Sequence, residues 1–178
     1  MEYLSLNNLP KMPHVEAILD NIRSAWNVGS IFRTADGVGI KKIYLCGITP
    51  APTNPKVVKT ALGAEQNVLW EKHNNCIILS NQLKQKGYRL WVLEDTPEAQ
   101  PLFQYERSDE VTPIVFVVGN EIAGVDPGII EISDKVLAIP MQGKKQSYNV
   151  SVAFGIAVSF LIYRQIFSHG SRKMFPST

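Results

Sequence analysis

Short apolar runs alternate with segments of helical periodicity along most of this chain, and this alternation constrains the fold more than any other feature. The clearest run is Ile114–Val118, which is followed at once by Gly119. Runs that are apolar at every position are typical of parallel strands buried on both faces of a sheet. The alternation predicts an α/β fold with a mostly parallel sheet flanked by helices. The predicted strands are residues 15–19, 41–46, 68–70, 88–93, 114–118 and 136–139.

Helices are predicted between these strands from apolar spacing and capping residues. The first helix has Ser24 or Asn27 as its expected N-cap, and Gly37 and Gly39 end it. Its apolar face comprises Val28, Ile31, Phe32, Ala35 and Val38. Further helices are predicted at residues 56–62, 76–86, 127–132 and 150–167. Residues 95–109 are predicted to be a loop with one short strand at 102–105.

Length and composition favour one globular domain. The 178 residues are 45% hydrophobic and 19% charged, with a formal net charge of +2, which does not by itself indicate nucleic-acid binding. We expect an N-terminal arm at 1–14, one domain at 15–168 and a C-terminal tail at 169–178. Cys46 and Cys76 are expected to be reduced core thiols of a cytoplasmic protein.

Several classes of protein are not favoured by the sequence. The three histidines and two cysteines have no metal-ligand spacing, so we expect no metal. The first residues contain no apolar core of a signal peptide. The most apolar segment, 150–163, is short for a membrane span and contains Ser151, Gly155 and Ser159, so we expect no membrane association.

The first candidate motif surrounds the first predicted helix. Gly29, Arg33 and Asp36 lie three or four residues apart and share a helix face, and Asn27 precedes them near the helix start. A guanidinium group on that face suits a phosphate. The alternative is an ordinary amphipathic helix on which Arg33 pairs with Asp36.

The second motif follows the buried strand at 114–118. Gly119 lets a ligand approach the backbone, and Glu121 stands at the carboxyl end of the strand, where α/β sheets bind ligands. No Lys-Ser/Thr follows Gly124, so this is not a phosphate-binding P-loop. A plain strand-to-helix turn is the alternative.

The third motif leads into the last predicted helix. The backbone of Ile139 and Met141 is placed to bind a purine edge, and Ser147 and Asn149 precede the helix start. Their simplest role is helix capping. Lys144 and Lys145, between these groups, are either functional or part of a solvated loop.

The last helix is apolar almost all round, with small residues at Ser151, Gly155 and Ser159. A helix without a polar face is buried by its own chain or by a partner. We expect it to contribute both to the core and to a dimer surface, with burial inside one chain as the alternative.

In this order, the three motifs resemble the SPOUT class of RNA methyltransferases, in particular its TrmH-like ribose 2′-O-methyltransferase branch. The resemblance covers about residues 18–164. It implies a C-terminal deep trefoil knot, S-adenosylmethionine as the cofactor, an RNA substrate and a homodimer whose sites are completed across the interface. It implies catalytic roles for a set of five residues: Asn27, Arg33, Glu121, Ser147 and Asn149. It implies cofactor contacts from Leu93, Gly119, Ile139, Met141, Ser147, Tyr148 and Asn149, although Tyr148 stands where the family more often has an aliphatic residue.

The chemistry assigned to Arg33 follows from the properties of arginine. A guanidinium group is a poor general base, so we favour binding of the phosphate next to the target ribose and stabilisation of the developing alkoxide, with a base role as the alternative. Trp26 is expected either to stack on a base or to lie in the core. RNA phosphates are expected to contact a basic set: Arg23, Lys56, Lys59, Lys144 and Lys145.

Three alternatives to a tRNA methyltransferase stay open. The first is the same reaction on ribosomal RNA; the arm of only about 14 residues favours tRNA, because larger family members with an N-terminal RNA-binding domain tend to act on ribosomal RNA. The second is a non-catalytic knotted module that binds RNA, which the joint presence of Arg33, Glu121, Ser147 and Asn149 argues against. The third is another doubly wound nucleotide-binding protein, which the missing phosphate-loop glycines argue against.

Overall fold

The fold is built on seven parallel strands joined by helices. The structure, a computed structural model, describes residues 14–105 and 112–170, and of 165–170 the backbone alone. The predicted arm and tail therefore lie almost wholly outside the described residues. The strands are β1 Val15–Asp20, β2 Lys42–Cys46, β3 Leu69–His73, β4 Arg89–Leu93, β5 Gln100–Pro101, β6 Ile114–Val118 and β7 Lys135–Ala138.

The helices are α1 Ala25–Val38, α2 Pro55–Ala61, α3 Ala64–Asn67, α4 Cys76–Gln85, α5 Pro127–Ile132 and α6 Val150–Gly170. Ser24 is the N-cap of α1, and its hydroxyl accepts from the backbone N–H of Asn27 at 3.3 Å. Gly39, with φ of 81°, ends α1 in the left-handed conformation that glycine adopts without strain. The predicted α/β class and most element positions are confirmed.

The strand order in the sheet is β3-β2-β1-β6-β4-β7-β5, and every pair is parallel. One face of the sheet is covered by α1, α2 and α6, and the other by α4 and α5. β6 lies between β1 and β4, although both precede it in the chain. Because all strands run the same way, the loops after β1, β6, β4 and β7 meet at one edge.

One sequence prediction for local structure is wrong, and the bounds of another are shifted. Residues 102–105 are not a strand: Leu102–Gln104 form a 3-10 turn that buries Leu102 and Tyr105, and the short strand is Gln100–Pro101. The strand predicted at 68–70 is Leu69–His73, an edge strand with exposed polar residues and hence no continuous apolar run.

Helix α6 packs against α1 and buries one side of its surface in the core. Among the α6 residues whose side chains are described, Phe154, Ala157 and Val158 are fully buried, whereas Val152 is 49% exposed. The prediction that α6 contributes to the core is confirmed, and the predicted dimer surface stays a prediction. Within the described residues, no helix is both long and apolar enough to span a membrane. In the same part of the chain, no cluster of His, Cys, Asp or Glu is arranged to hold a metal ion.

Candidate functional site

The loop after β6 is folded tightly by its two glycines. Asn120 and Gly124 exchange backbone hydrogen bonds of 3.0 and 2.9 Å. A Cβ on Gly119 would lie 2.4 Å from the carbonyl oxygen of Gly124, and Gly124 itself has φ of 74°. The side-chain oxygen of Asn120 accepts from the backbone N–H groups of Ile122 and Ala123, both at 2.9 Å. The loop is therefore a fixed structure in which only glycine fits at position 119.

Glu121 connects this loop to the segment that precedes α1. Its carboxylate accepts from the backbone N–H of Arg23 at 3.0 Å, the backbone N–H of Ser24 at 3.1 Å and Nδ2 of Asn27 at 2.9 Å. Burial alone would raise the pKa of Glu121, but these hydrogen bonds outweigh it, and the pKa lies below its ordinary value. Glu121 is therefore a fixed anion that bridges the loops after β1 and β6.

Asn149 extends the same series of hydrogen bonds into α6. Its Nδ2 donates to Oδ1 of Asn27 at 3.2 Å, while its Oδ1 accepts from the backbone N–H of Ser151 at 3.0 Å. The Ser151 contact is that of a helix N-cap, and it fixes which end of the Asn149 amide faces Asn27. Three predicted site residues, Glu121, Asn27 and Asn149, thus form one continuous series.

A cavity of about 430 Å³ lies between the loops after β4, β6 and β7 and the start of α6. All seven residues predicted to bind a cofactor line it, namely Leu93, Gly119, Ile139, Met141, Ser147, Tyr148 and Asn149. Carboxylates of Glu94, Asp95 and Glu121 also line it. The structure therefore brings together every residue of this predicted set.

Glu94 is a site residue that the sequence analysis missed. Its Oε2 accepts from the backbone N–H of Val125 at 2.8 Å and would lie 2.5 Å from a Cβ on Gly124. Glu94 thus fixes the far end of the loop after β6 and lines the cavity as well. The available signal was its position, because it directly follows Leu93 at the carboxyl end of a buried strand.

Arg33 lies apart from the cavity. It is exposed on α1 and does not line the cavity wall. Among the described residues it has no ion pair, and the side chain of Asp36 instead accepts from Asn67 at 3.4 Å. The alternative of an Arg33–Asp36 surface pair is therefore wrong. Gly29 lies one helical turn before Arg33 on the same side of α1, but it is buried against α2, where an added Cβ would lie 2.4 Å from the Val57 carbonyl oxygen.

The five basic residues predicted to contact RNA are all exposed, but they belong to different elements. Lys144 and Lys145 border a second cavity of about 670 Å³, which shares Ile139 and Met141 with the first. Lys56 and Lys59 lie on α2, which packs against α1. Arg23 precedes α1, and only its backbone N–H is engaged by Glu121. Trp26 is 47% exposed, so the alternative of a core tryptophan is wrong.

Comparison with known proteins places this geometry in a family. The model of the SpoU rRNA Methylase family matches residues 14–159. A tRNA (guanosine(18)-2′-O)-methyltransferase of Aquifex aeolicus is 34% identical over 77% of this chain and 63% of its own length. A 23S rRNA (guanosine-2′-O-)-methyltransferase of Ralstonia nicotianae is 32% identical over 82% of this chain and 57% of its own length.

A solved structure supports the same assignment. The TrmH/SpoU tRNA modifying enzyme of A. aeolicus superimposes with a TM-score of 0.76 and 29% identity, over 95% of this chain and 83% of that one. This chain spans about three-fifths of the length of the two curated relatives. The family match covers most of the chain, including Asn27, Arg33, Glu121 and Asn149. The chain therefore belongs to the SpoU rRNA methylase family.

Proposed function

We propose that this chain transfers a methyl group from S-adenosylmethionine to the 2′-hydroxyl of a ribose in RNA. The observation that carries the proposal is the hydrogen-bonded series Glu121–Asn27–Asn149. It joins the wall of a ligand-sized cavity to the first turn of α1, the helix that bears Arg33. Both curated relatives are named as guanosine 2′-O-methyltransferases.

The residues around the cavity fit S-adenosylmethionine. Its volume of about 430 Å³ is within the range typical of small-molecule sites. Leu93 and Ile139 supply apolar surface for a purine ring, and the carboxylates of Glu94 and Asp95 suit the positive charges of the sulfonium and ammonium groups. The acidic lining also argues against a nucleotide triphosphate as the ligand, because phosphates would be repelled.

The chain's own residues have two tasks in this reaction. Bound S-adenosylmethionine would supply an electrophilic methyl group and leave as S-adenosylhomocysteine, while the 2′-hydroxyl would lose its proton to solvent. The protein therefore has to align the ribose oxygen with the methyl group and stabilise the charge that develops on that oxygen. We assign charge stabilisation and phosphate binding to Arg33, because guanidinium groups stay protonated in proteins. Glu121 keeps Asn27 and the start of α1 in place, since its oxygens are occupied by three donors.

A homodimer is part of the proposal, because one chain does not bring Arg33 to the cavity wall. We propose that Arg33 of one protomer faces the cavity of its partner, and that α6 contributes to the contact. Partly exposed apolar residues of α6, including Val152 and Phe160, supply surface for it. A trefoil knot formed by the segments around β6 and β7 also belongs to the proposal.

Mixing two inactive variants tests the shared site. Arg33→Ala lacks the positive charge on α1, and Ile139→Trp is designed to fill the cavity. A calorimetric titration before mixing should show that Ile139→Trp no longer binds S-adenosylmethionine. A heterodimer of the two variants, isolated with two affinity tags, has one intact site if Arg33 acts on the partner's cavity. We expect methyl transfer to return in the heterodimer. Inactivity of a heterodimer that binds cofactor at one cavity would contradict the shared site.

The RNA class is proposed as tRNA first and ribosomal RNA second, since relatives named for each are similar to this chain. Labelled methyl transfer to purified tRNA and to ribosomal RNA in parallel decides between them. We also propose a cytoplasmic location, which suits the two free thiols and an RNA substrate. Cofactor binding without transfer to either RNA would favour a non-catalytic RNA-binding module.

A further inference from the structure

Trp26 presents an aromatic ring to solvent in the first turn of α1. All three tryptophans lie in the described part of the chain, where Trp91 is buried, Trp70 is half-buried and Trp26 is 47% exposed. The ammonium group of Lys59, on α2, lies 5.8 Å from the centre of the Trp26 ring. Because Trp26 is exposed, the part of its ring that Lys59 does not cover is available for stacking with a planar, electron-rich partner.

The position of Trp26 on α1 links it to the proposed catalytic residue. Arg33 follows Trp26 by seven residues, or about two helical turns, so the two side chains share a face of α1. Lys56 and Lys59 lie alongside, because Gly29 lets α2 pack closely on α1. Within residues 14–105 and 112–170, no ion pair joins Arg33, Lys56 or Lys59 to a carboxylate.

We propose that Trp26 and Lys59 form a stacking platform for an unpaired base of the RNA substrate, next to the nucleotide that Arg33 holds. Unpaired bases stack on aromatic side chains, and neighbouring cations bind the phosphates between them. A second copy of this chain at the same patch is the alternative occupant, and the sedimentation measurement described below tests it. The inference rests on the proposed function and adds a substrate requirement: the target nucleotide has an unstacked neighbour.

Substitutions at the platform test this inference. Trp26→Ala is expected to raise the KM and Kd for RNA on the order of 10-fold, while affinity for S-adenosylmethionine stays unchanged. Trp26→Phe keeps an aromatic face and should restore most of the affinity. Lys59→Ala should weaken binding less and flatten its salt dependence. Ile78→Ala and Lys86→Ala, at exposed positions on or at the end of α4 on the opposite face of the sheet, are matched controls with no expected effect.

Two results would overturn the platform. One is a Trp26→Ala variant with wild-type Kd and KM for RNA. The other is a Trp26→Ala variant that changes the sedimentation coefficient of the protein without RNA, which would assign the ring to a contact between protomers. Failure of the proposed function is a separate result, namely no transfer of methyl groups to RNA by the wild-type protein. In that case, the comparison of RNA binding between wild type and Trp26→Ala still tests whether Trp26 contacts RNA.

Discussion

Asn149 donates a hydrogen bond of 3.2 Å to Asn27, a residue 122 positions earlier in the chain. The contact places the start of α6 against the start of α1, and Nδ2 of Asn27 in turn donates to the carboxylate of Glu121 at 2.9 Å. Two helix starts and the loop after β6 are therefore held in one arrangement around the cavity. The amide of Asn149 has a double role, as the cap of α6 and as a link in this series.

Replacement of Asn149 by Ala separates these roles when it is compared with Asn75→Ala. Asn75 caps α4 on the other face of the sheet by accepting from the backbone N–H of Ile78 at 2.9 Å. Both variants are expected to lose about 1 kcal/mol of the free energy of unfolding, measured in urea. Only Asn149→Ala should also lose cofactor affinity and methyl transfer. Equal activity of the two variants would show that Asn149 is a cap and nothing more.

Replacement of Gly119 by Ala is expected to distort the loop after β6. The added Cβ meets the backbone of Gly124 at 2.4 Å, so the loop has to open. We expect a loss of about 1–3 kcal/mol of stability and weak binding of S-adenosylmethionine in calorimetry. Gly37→Ala is the control, because a Cβ there meets nothing within 4 Å. It should leave binding unchanged and slightly stabilise α1. Normal cofactor binding by Gly119→Ala would show that the loop after β6 does not contribute to the cofactor site.

The stability contributed by Glu121 is expected to depend on pH. Its pKa in the folded protein is lowered from the ordinary 4.5, so the contribution is fully present above 4.5 and is lost as the pH falls through the folded pKa. Urea unfolding of wild type and Glu121→Gln should show a difference in free energy at pH 7 that shrinks below pH 4.5. A difference that stays constant down to pH 3 would contradict the assignment of Glu121 as a hydrogen-bonded anion.

The two thiols are expected to be unreactive in the folded protein. Cys46 and Cys76 are free and buried, as the sequence predicted for core thiols. A hydrogen bond with Cys46 and burial raise the pKa of the Cys76 thiol, which lowers the fraction of reactive thiolate at neutral pH. A thiol reagent at pH 7.5 should label neither residue until urea unfolds the protein, and should then label both. Rapid labelling of the native protein would contradict the buried environment.

The sequence predicted the buried strands and most helices because their periodicity is local. Pro127–Ile132 occurs at the predicted bounds, since Asp126 caps it and Pro127 suits a first helical position. The edge strand β3 was misplaced because Glu71 and Lys72 face solvent and interrupt any apolar pattern. The order of the strands in the sheet could not be predicted from the sequence, because the placement of β6 between β1 and β4 depends on contacts between distant segments.

The sequence also predicted some features of the candidate site and missed others. Each of the three motifs contributes residues that line the cavity or join the hydrogen-bonded series. Each motif follows a strand, and the carboxyl ends of these strands meet at one edge of the sheet. Glu94 was missed although it directly follows β4, because no glycine accompanies it in the way that Gly119 accompanies Glu121. The position of Arg33 apart from the cavity was not predicted either, because helical spacing gives the face that a residue occupies on its helix but not the distance from that face to other parts of the chain.

The most direct test of the proposed reaction is nucleoside mapping of RNA after incubation with the purified protein and labelled S-adenosylmethionine. We expect the label in 2′-O-methylated nucleosides, and its loss in the Arg33→Ala variant while calorimetry still shows cofactor binding. Label found only on bases or on protein would contradict ribose methylation. Transfer by Arg33→Ala at the wild-type rate would contradict the role assigned to Arg33.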